Sequence, residues 1–243
     1  MQTLKDKAAV ITGGTRGIGY SIAEVLMEEG ARVFICGRKG AEVKKAVETL
    51  AGGTPGDKAG GMEANVARYD DCRKLIRAAA ERMGRIDILV NNAGVGIFSP
   101  IDQLKPEDWD TVIGTNLSGV FYCCREVIPL MRQQGSGYIF NISSLAGVNA
   151  FPGGSAYNAS KFGLNGFSEA MMQEIRYDGI RVSYIMPGSV ATDFAAAPGS
   201  KPRDNWKLTG EDVAKAVVDL YKFPSTALAS RIEMRPSQPP RKK

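Results

Sequence analysis

Short apolar runs alternate with helix-length amphipathic segments along this chain, and that alternation limits the possible folds more than any other feature. Strand-like runs read at Ala8–Thr12, Arg32–Cys36, Ala59–Ala64, Ile86–Asn91, Tyr138–Ile142, Arg181–Met186 and about Ser230–Met234. Helical patterns fill most gaps, over Gly17–Glu29, Ala41–Leu50, Tyr69–Met83, Pro106–Met131, Ala156–Tyr177 and Gly210–Tyr221. Strands this short and this apolar suit a parallel sheet covered by helices on both faces. Right-handed crossovers then predict an α/β fold with a doubly wound, seven-stranded parallel sheet. Ligands of such sheets lie beyond the carboxyl ends of the strands.

Composition narrows the chemistry. The 243 residues are 44% hydrophobic and 23% charged, which suits one globular domain spanning 1–243. No run approaches the roughly 18 apolar residues of a membrane span. Met1 to Lys7 leads straight into an apolar strand without a secretory core, so a cytoplasmic location is expected. The net charge of +5 is modest, and part of it sits in Arg241, Lys242 and Lys243, in a tail from about 236 to 243. Basic stripes with interleaved aromatics are missing, so no nucleic-acid partner is expected. Histidine is absent, which excludes Ser-His-Asp and Cys-His catalysis and histidine-rich metal sites; no metal is expected. Cys36, Cys72, Cys123 and Cys124 form no C-x-x-C pair and read as reduced, largely buried thiols. Gly52 to Asp57 reads as a surface loop away from the site, and about 193–207 as a mobile substrate loop.

The first strand ends in Thr12-Gly13-Gly14-Thr15-Arg16-Gly17-Ile18-Gly19 and opens a helix. Glycines there permit a tight turn and close approach of a pyrophosphate, which also meets the helix N-terminus. The spacing is G-x-x-x-G-x-G rather than the usual G-x-G-x-x-G of a Rossmann fold, but its place between strand and helix favours dinucleotide binding. The second strand is followed by Gly37-Arg38-Lys39, where an NAD site usually carries an acid. Arg38 can pair with a 2′-phosphate instead, and Arg16 could reach the same group, so NADP(H) is the expected cofactor.

Tyr157 and Lys161 stand four residues apart in a helical stretch, on one face. A cation beside a phenol favours the phenolate and draws the pKa down from about 10. Such a tyrosine can give a proton to a carbonyl or take one from an alcohol.

Thr12–Gly19, Asn91-Asn92-Ala93-Gly94, Asn116, Ser144, Tyr157 with Lys161, and Pro187-Gly188 together resemble the classical short-chain dehydrogenase/reductase family over nearly the whole chain. The resemblance implies a catalytic tetrad of Asn116, Ser144, Tyr157 and Lys161, with Ser144 thirteen residues before Tyr157 and Ser143 the neighbour not chosen. It implies that Ser144 holds the substrate carbonyl, Tyr157 supplies the proton, and Lys161 keeps the phenol acidic and holds the nicotinamide ribose. Asn116 would hold a water that reloads the proton. Gly13, Thr15, Arg16, Gly17, Ile18, Gly19 and Arg38 would cradle the cofactor with Asn92, Ala93 and Gly94, and Asn91 would line its adenosine side. Pro187, Gly188, Val190 and Thr192 would face the nicotinamide, with Thr192 on the carboxamide. One departure stands at Asn65-Val66, where the family commonly has Asp-Val against the adenine; the Asn65 oxygen can still accept that bond.

The substrate pocket is expected to combine Ser144 and Tyr157 with Ile97, Phe98, Leu145, Phe151, Phe194 and Trp206. That lining is apolar and fits a ketone on an aliphatic or ring-bearing body. The branch most alike is the 3-oxoacyl-[acyl-carrier-protein] reductases, yet the two carrier-binding basic positions are Asp178 and Gly135 here, which weakens the case for a carrier-protein partner. Reduction of a 3-oxoacyl thioester leads. A dehydrogenase of a sugar, polyol or sterol, and a non-catalytic nucleotide-sensing scaffold, are the alternatives. Phe121, Phe162, Phe167, Met171 and Met172 exceed what one helix face needs, and with the resemblance point to a homotetramer or dimer.

Overall fold

The computed structural model describes residues 2–52, 58–192 and 206–240. Seven parallel strands form one sheet: β1 (Ala8–Ile11), β2 (Arg32–Gly37), β3 (Ala59–Glu63), β4 (Ile88–Asn91), β5 (Gly137–Ile142), β6 (Ile180–Pro187) and β7 (Arg231–Met234). Their order is β3-β2-β1-β4-β5-β6-β7, and every pairing is parallel. The order reverses between β1 and β4, so a crevice opens there at the carboxyl ends of both strands.

Among the described residues, seven α-helices cover the sheet: α1 (Gly17–Glu28), α2 (Gly40–Leu50), α3 (Tyr69–Met83), α4 (Pro106–Ile113), α5 (Gly119–Gln134), α6 (Ser155–Ile175) and α7 (Gly210–Lys222). Alternation of side chains along each strand sorts the core into two layers. Ala9 and Ile11 of β1 pack with Ile22 and Leu26 of α1 and Val213 and Val217 of α7. Ala8 and Val10 face the other way, in one cluster with Leu75 of α3, Val127 of α5 and Leu164 of α6. Helices on both faces explain why the central strands are apolar throughout rather than alternating.

The helix expected over Pro106–Met131 is two helices joined by a π turn, Gly114–Ser118, and the second runs on to Gln134. Wider i→i+5 turns of this kind recur at functional sites and are invisible to a 3.6-residue pattern. Other ends differ by a residue or two: β1 stops at Ile11, β4 begins at Ile88, β6 includes Pro187, and Arg176–Asp178 is a 3₁₀ turn after α6. All four cysteines are free and buried. Among the described residues, no helix is long and apolar enough to cross a membrane. Residues 53–57, most of the expected substrate loop (193–205, with Phe194), and 241–243 lie outside the described residues.

Candidate active site

The β1–α1 turn is shaped by close contacts. Gly13 has φ +64°, and a Cβ there would come within 2.9 Å of the Ala93 Cα. Asn92 donates through Nδ2 to the carbonyls of Thr12 and Gly13, at 3.0 and 3.1 Å. Thr12 Oγ1 in turn accepts from the backbone N–H groups of Asn92 and Ala93, both at 3.0 Å. These bonds lock the glycine turn to the end of β4. Arg16 occupies the N-cap of α1 with extended backbone and no side-chain cap, and the first turn of α1 holds no acid. Four backbone N–H groups of a helix start lack intrahelical partners. Here they remain available to an anion, whereas Thr209 and Asp212 close the start of α7 with a capping box. The residues therefore fit the pyrophosphate of a dinucleotide.

Beside this turn lies a cluster of cations. Arg16, Arg38 and Lys39 all hold the Glu42 carboxyl below its usual range, with the Lys39 hydrogen bond the largest cause. Lys39 reaches Glu42 at 2.8 Å. Arg16, at the start of α1, and Arg38, just past β2, are both exposed and both act on Glu42.

One expectation about the adenine side needs correction, and a second is narrowed. The Asn91 side chain does not line the crevice. It is buried, donating to Asn141 Oδ1 at 2.8 Å and to Cys124 Sγ at 3.4 Å. A strand residue's neighbour points to the opposite face, so Asn92 serves the glycine turn and Asn91 cannot. Asn65 Oδ1 already accepts from the Ala67 N–H at 3.1 Å, closing an Asx turn, so only its second lone pair remains for a ligand. Val66 is buried next to Gly119, where a Cβ would lie 2.8 Å from the Val66 carbonyl oxygen.

Tyr157 and Lys161 share a face of α6, with Lys161 Nζ 5.8 Å from the ring centre. Lys161 is 4% exposed and donates to the Ile142 carbonyl at 2.9 Å. Burial pushes its pKa from 10.5 down to about 8. The Tyr157 phenol is not drawn downward as the sequence suggested. Burial raises its pKa above the ordinary value, and a hydrogen bond with the Ser144 side chain works against that rise. A phenolate stripped of water costs more than the neighbouring cation returns, because that cation is itself desolvated and spent on a carbonyl. Phe98 meets the Tyr157 ring edge-on at 5.6 Å between centres and Phe151 at 5.7 Å. At 46% and 42% exposed, the two phenylalanines form an open apolar wall beside the phenol.

Ser144 and Ser143 have different surroundings. Ser144 caps a short 3₁₀ turn, Leu145–Gly147, and Ser143 is buried against Asn165 Oδ1 at 2.6 Å. Asn116 sits on the π turn, buried. Its Oδ1 accepts from Val95 N–H at 2.8 Å, and its Nδ2 donates to Val95 O at 2.9 Å and Ser160 Oγ at 3.0 Å. Ser160 Oγ donates to the Tyr157 carbonyl at 2.7 Å. Both amide hydrogens of Asn116 are thus committed to clamping the Val95 loop to α6, and none is left for a water.

Gly188 closes the crevice: a Cβ there would sit 3.1 Å from Leu145 Cδ1. Val190 bridges to Leu208, and Thr192 lies over the start of α1, 3.5 Å from where a Gly17 Cβ would be. Ile97 and Leu145 are half-buried, as is Trp206, whose ring has Lys207 Nζ at 5.6 Å. Sequence reasoning missed Asn158 and Asn165, buried asparagines on α6 bonded to the Ser144 loop. Polar residues at core positions of a helix were the available signal.

Residues 7–202 match the family model for short chain dehydrogenase. An uncharacterised oxidoreductase of Staphylococcus aureus (strain MW2) is 33% identical over 97% of this chain and 100% of its own length. A 3alpha-hydroxysteroid dehydrogenase of Mediterraneibacter gnavus is 36% identical over 80% of this chain and 78% of its own. Among solved structures, a metagenomic short-chain oxidoreductase in complex with NADP superposes with a TM-score of 0.84 at 33% identity, covering 98% of this chain and 100% of that one. A 3-ketoacyl-(acyl-carrier-protein) reductase from Brucella melitensis complexed with NADH gives 0.87 at 28% identity, covering 97% and 99%. The chain belongs to the short-chain dehydrogenase/reductase family, oxidoreductases that act on CH–OH groups with a nicotinamide cofactor.

Proposed function

We propose that this protein is an NADP(H)-dependent enzyme interconverting a ketone and a secondary alcohol, with reduction of a 3-oxoacyl thioester-like substrate as its leading reaction. The observation that carries the reading is the buried Tyr157 phenol, hydrogen-bonded to Ser144 with Lys161 one turn further on, at the crevice beside an uncapped α1 N-terminus. The cofactor supplies or accepts the hydride when bound. Ser144 donates to the substrate oxygen and holds it at the phenol. Tyr157 is kept protonated by burial, so it gives its proton as the carbonyl oxygen gains charge. Lys161 borders the resulting phenolate and holds the ribose. Asn116 fixes the tyrosine helix against the Val95 loop, and its π turn offers backbone acceptor capacity for a water that reloads the proton.

Arg16, Arg38 and Lys39 favour a 2′-phosphate, and no acid follows β2 to bond a free 2′-hydroxyl. An acidic carrier protein has little purchase. Asp178 pairs with Arg132 at 2.6 Å, and Gly135 sits at φ +64°, where an arginine would be strained. A free thioester or ketone therefore suits the site better than a carrier-bound one. A sterol alcohol is the second reading, favoured by the Phe98–Phe151 wall and the hydroxysteroid relative. Phe121 and Phe162 remain exposed on α5 and α6 and support assembly as a dimer or homotetramer through those helices, whereas Met171 is core. A cytoplasmic enzyme drawing on NADPH is the setting this implies.

The test is a screen of 3-oxo esters, thioesters, aryl ketones, sugars and sterols, following oxidation of NADPH and NADH and the reverse reaction. Turnover of ethyl benzoylacetate or a 3-oxoacyl thioester with NADPH, lost in Tyr157→Phe, is expected. Turnover confined to sterol or sugar alcohols would replace the leading reading. Absence of turnover with every substrate would favour the scaffold.

A further inference from the structure

Asn158 follows Tyr157 in the chain and is 6% exposed. Its polar atoms are fully used, and all on one loop. Nδ2 donates to the carbonyls of Ala146 and Asn149, at 2.7 and 3.2 Å, and Oδ1 accepts from the Phe151 N–H at 3.3 Å. An apolar side chain here would remove three bonds from this loop and strip the buried Ala146 carbonyl of this donor, a loss that buried polar groups avoid. The three partners span the loop between Ser144 and the start of α6. Ser144 itself belongs to neither strand nor helix; its backbone is extended, φ −166° and ψ 158°, just past β5. What orients its hydroxyl is the Ala146 N–H, which donates to Ser144 Oγ at 3.1 Å. The Ala146 peptide thus joins the two residues: its N–H holds Ser144, and its carbonyl is held by Asn158.

We propose that Asn158 is a positioning residue which, through the Ala146 peptide, sets the Ser144 hydroxyl against the Tyr157 phenol. The inference rests on the roles given above to Ser144 and Tyr157. With the Ala146 N–H on one lone pair, Ser144 keeps its own O–H and a second lone pair for the phenol and the substrate. The Ser144 bond is what opposes the burial-driven rise of the Tyr157 pKa, so an unmoored Ser144 leaves the phenol less acidic. The same bonds seat Phe151 in the wall beside the ring. Asn165, seven residues on and on the same face of α6, ties down the floor of the loop separately. Its Nδ2 donates to Gly147 O at 3.0 Å and its Oδ1 accepts from Ser143 Oγ at 2.6 Å. The loop therefore has a second anchor when Asn158 is changed.

The experiment is a kinetic double-mutant cycle of Asn158→Ala and Ser144→Ala, with ethyl benzoylacetate and NADPH. Thermal melts and NADPH titrations by fluorescence are run on the same four proteins. Asn158→Ala should lower kcat about tenfold to a hundredfold, the scale of a displaced catalytic group. NADPH affinity should stay within about twofold, because none of the Asn158 partners belongs to the cofactor cradle. In the Ser144→Ala background the same change should cost less than about twofold, because its route to the phenol is gone. The alkaline limb of the kcat–pH profile for reduction should rise by about half to one pH unit, the scale of one lost hydrogen bond. A purely structural role would scale kcat alike in both backgrounds and leave that limb in place, and either result overturns the proposal. Asn158→Ser, which leaves a polar group and room for a water, repeats the cycle should the alanine variant melt too early. If Ser144→Ala or Tyr157→Phe alone keeps full kcat, the active-site assignment falls and this inference with it. If those two lose kcat and Asn158→Ala does not, only the Asn158 role is refuted.

Discussion

Replacing Lys161 by methionine is expected to make the protein more stable and nearly inactive. Lys161 is buried, and no carboxylate pairs with its ammonium among the described residues. Burial displaces its pKa from 10.5 to about 8. At about 1.4 kcal/mol per pH unit, that displacement is about 3 kcal/mol set against the folded state at neutral pH. Methionine has similar length and no charge, so the cost disappears. The Ile142 carbonyl then loses its donor, which gives back about 1–2 kcal/mol. A net gain of about 1–2 kcal/mol remains, or roughly 2–8 °C in Tm for a chain of this size. The sign with pH follows from the same displacement. Between about 8 and 10.5 the unfolded lysine holds a proton that the folded one has released, so wild-type stability rises with pH through that window. Below about 8 both states are protonated and the penalty is complete. Urea denaturation of both proteins without cofactor, from about pH 7 to about pH 10, reads the difference. The advantage of Lys161→Met should be flat below about pH 8 and shrink above it, while turnover falls about 10²–10⁴-fold. A variant less stable at every pH, with a parallel pH dependence, would show that the ammonium is solvated or paired and that the burial argument is wrong.

Tyr157→Phe should lower kcat by about 10²–10⁴-fold and leave NADPH affinity unchanged in a fluorescence titration; retention of more than about a tenth of kcat removes the tyrosine from proton transfer. Arg38→Asp should cut kcat/KM for NADPH about tenfold to a hundredfold, the value of one charge-assisted bond, and raise that for NADH. The double change with Arg16→Ala should go further, and an unchanged ratio there would place the 2′-phosphate elsewhere. Gly13→Ala should weaken both cofactors and lower Tm in a scanning melt, since φ +64° and the 2.9 Å approach to Ala93 admit no Cβ. Full cofactor affinity in that variant would mean the turn is not the pyrophosphate cradle.

What the sequence could and could not reveal divides along a physical line. Element type follows from apolar periodicity, which is local, so the β/α alternation and the seven strands were legible. The Gly13–Gly19 turn and the Tyr157–Lys161 spacing were legible for the same reason: each needs a residue type at a fixed short separation. The π turn at Gly114–Ser118 was not, because one wider turn barely disturbs the apolar stripe on either side. Asn91 and Asn92 show the limit more sharply. They are neighbours of one type in one motif, and only the face of β4 decides that Asn91 bonds Asn141 in the core while Asn92 ties the glycine turn. The Tyr157 pKa lay furthest from reach. Spacing brings a cation to the phenol, but the direction of the pKa depends on how deeply the assembled fold buries the ring, which the spacing does not encode. A phenol buried in this way is kept protonated by surroundings assembled from side chains distant in sequence, which no local spacing encodes.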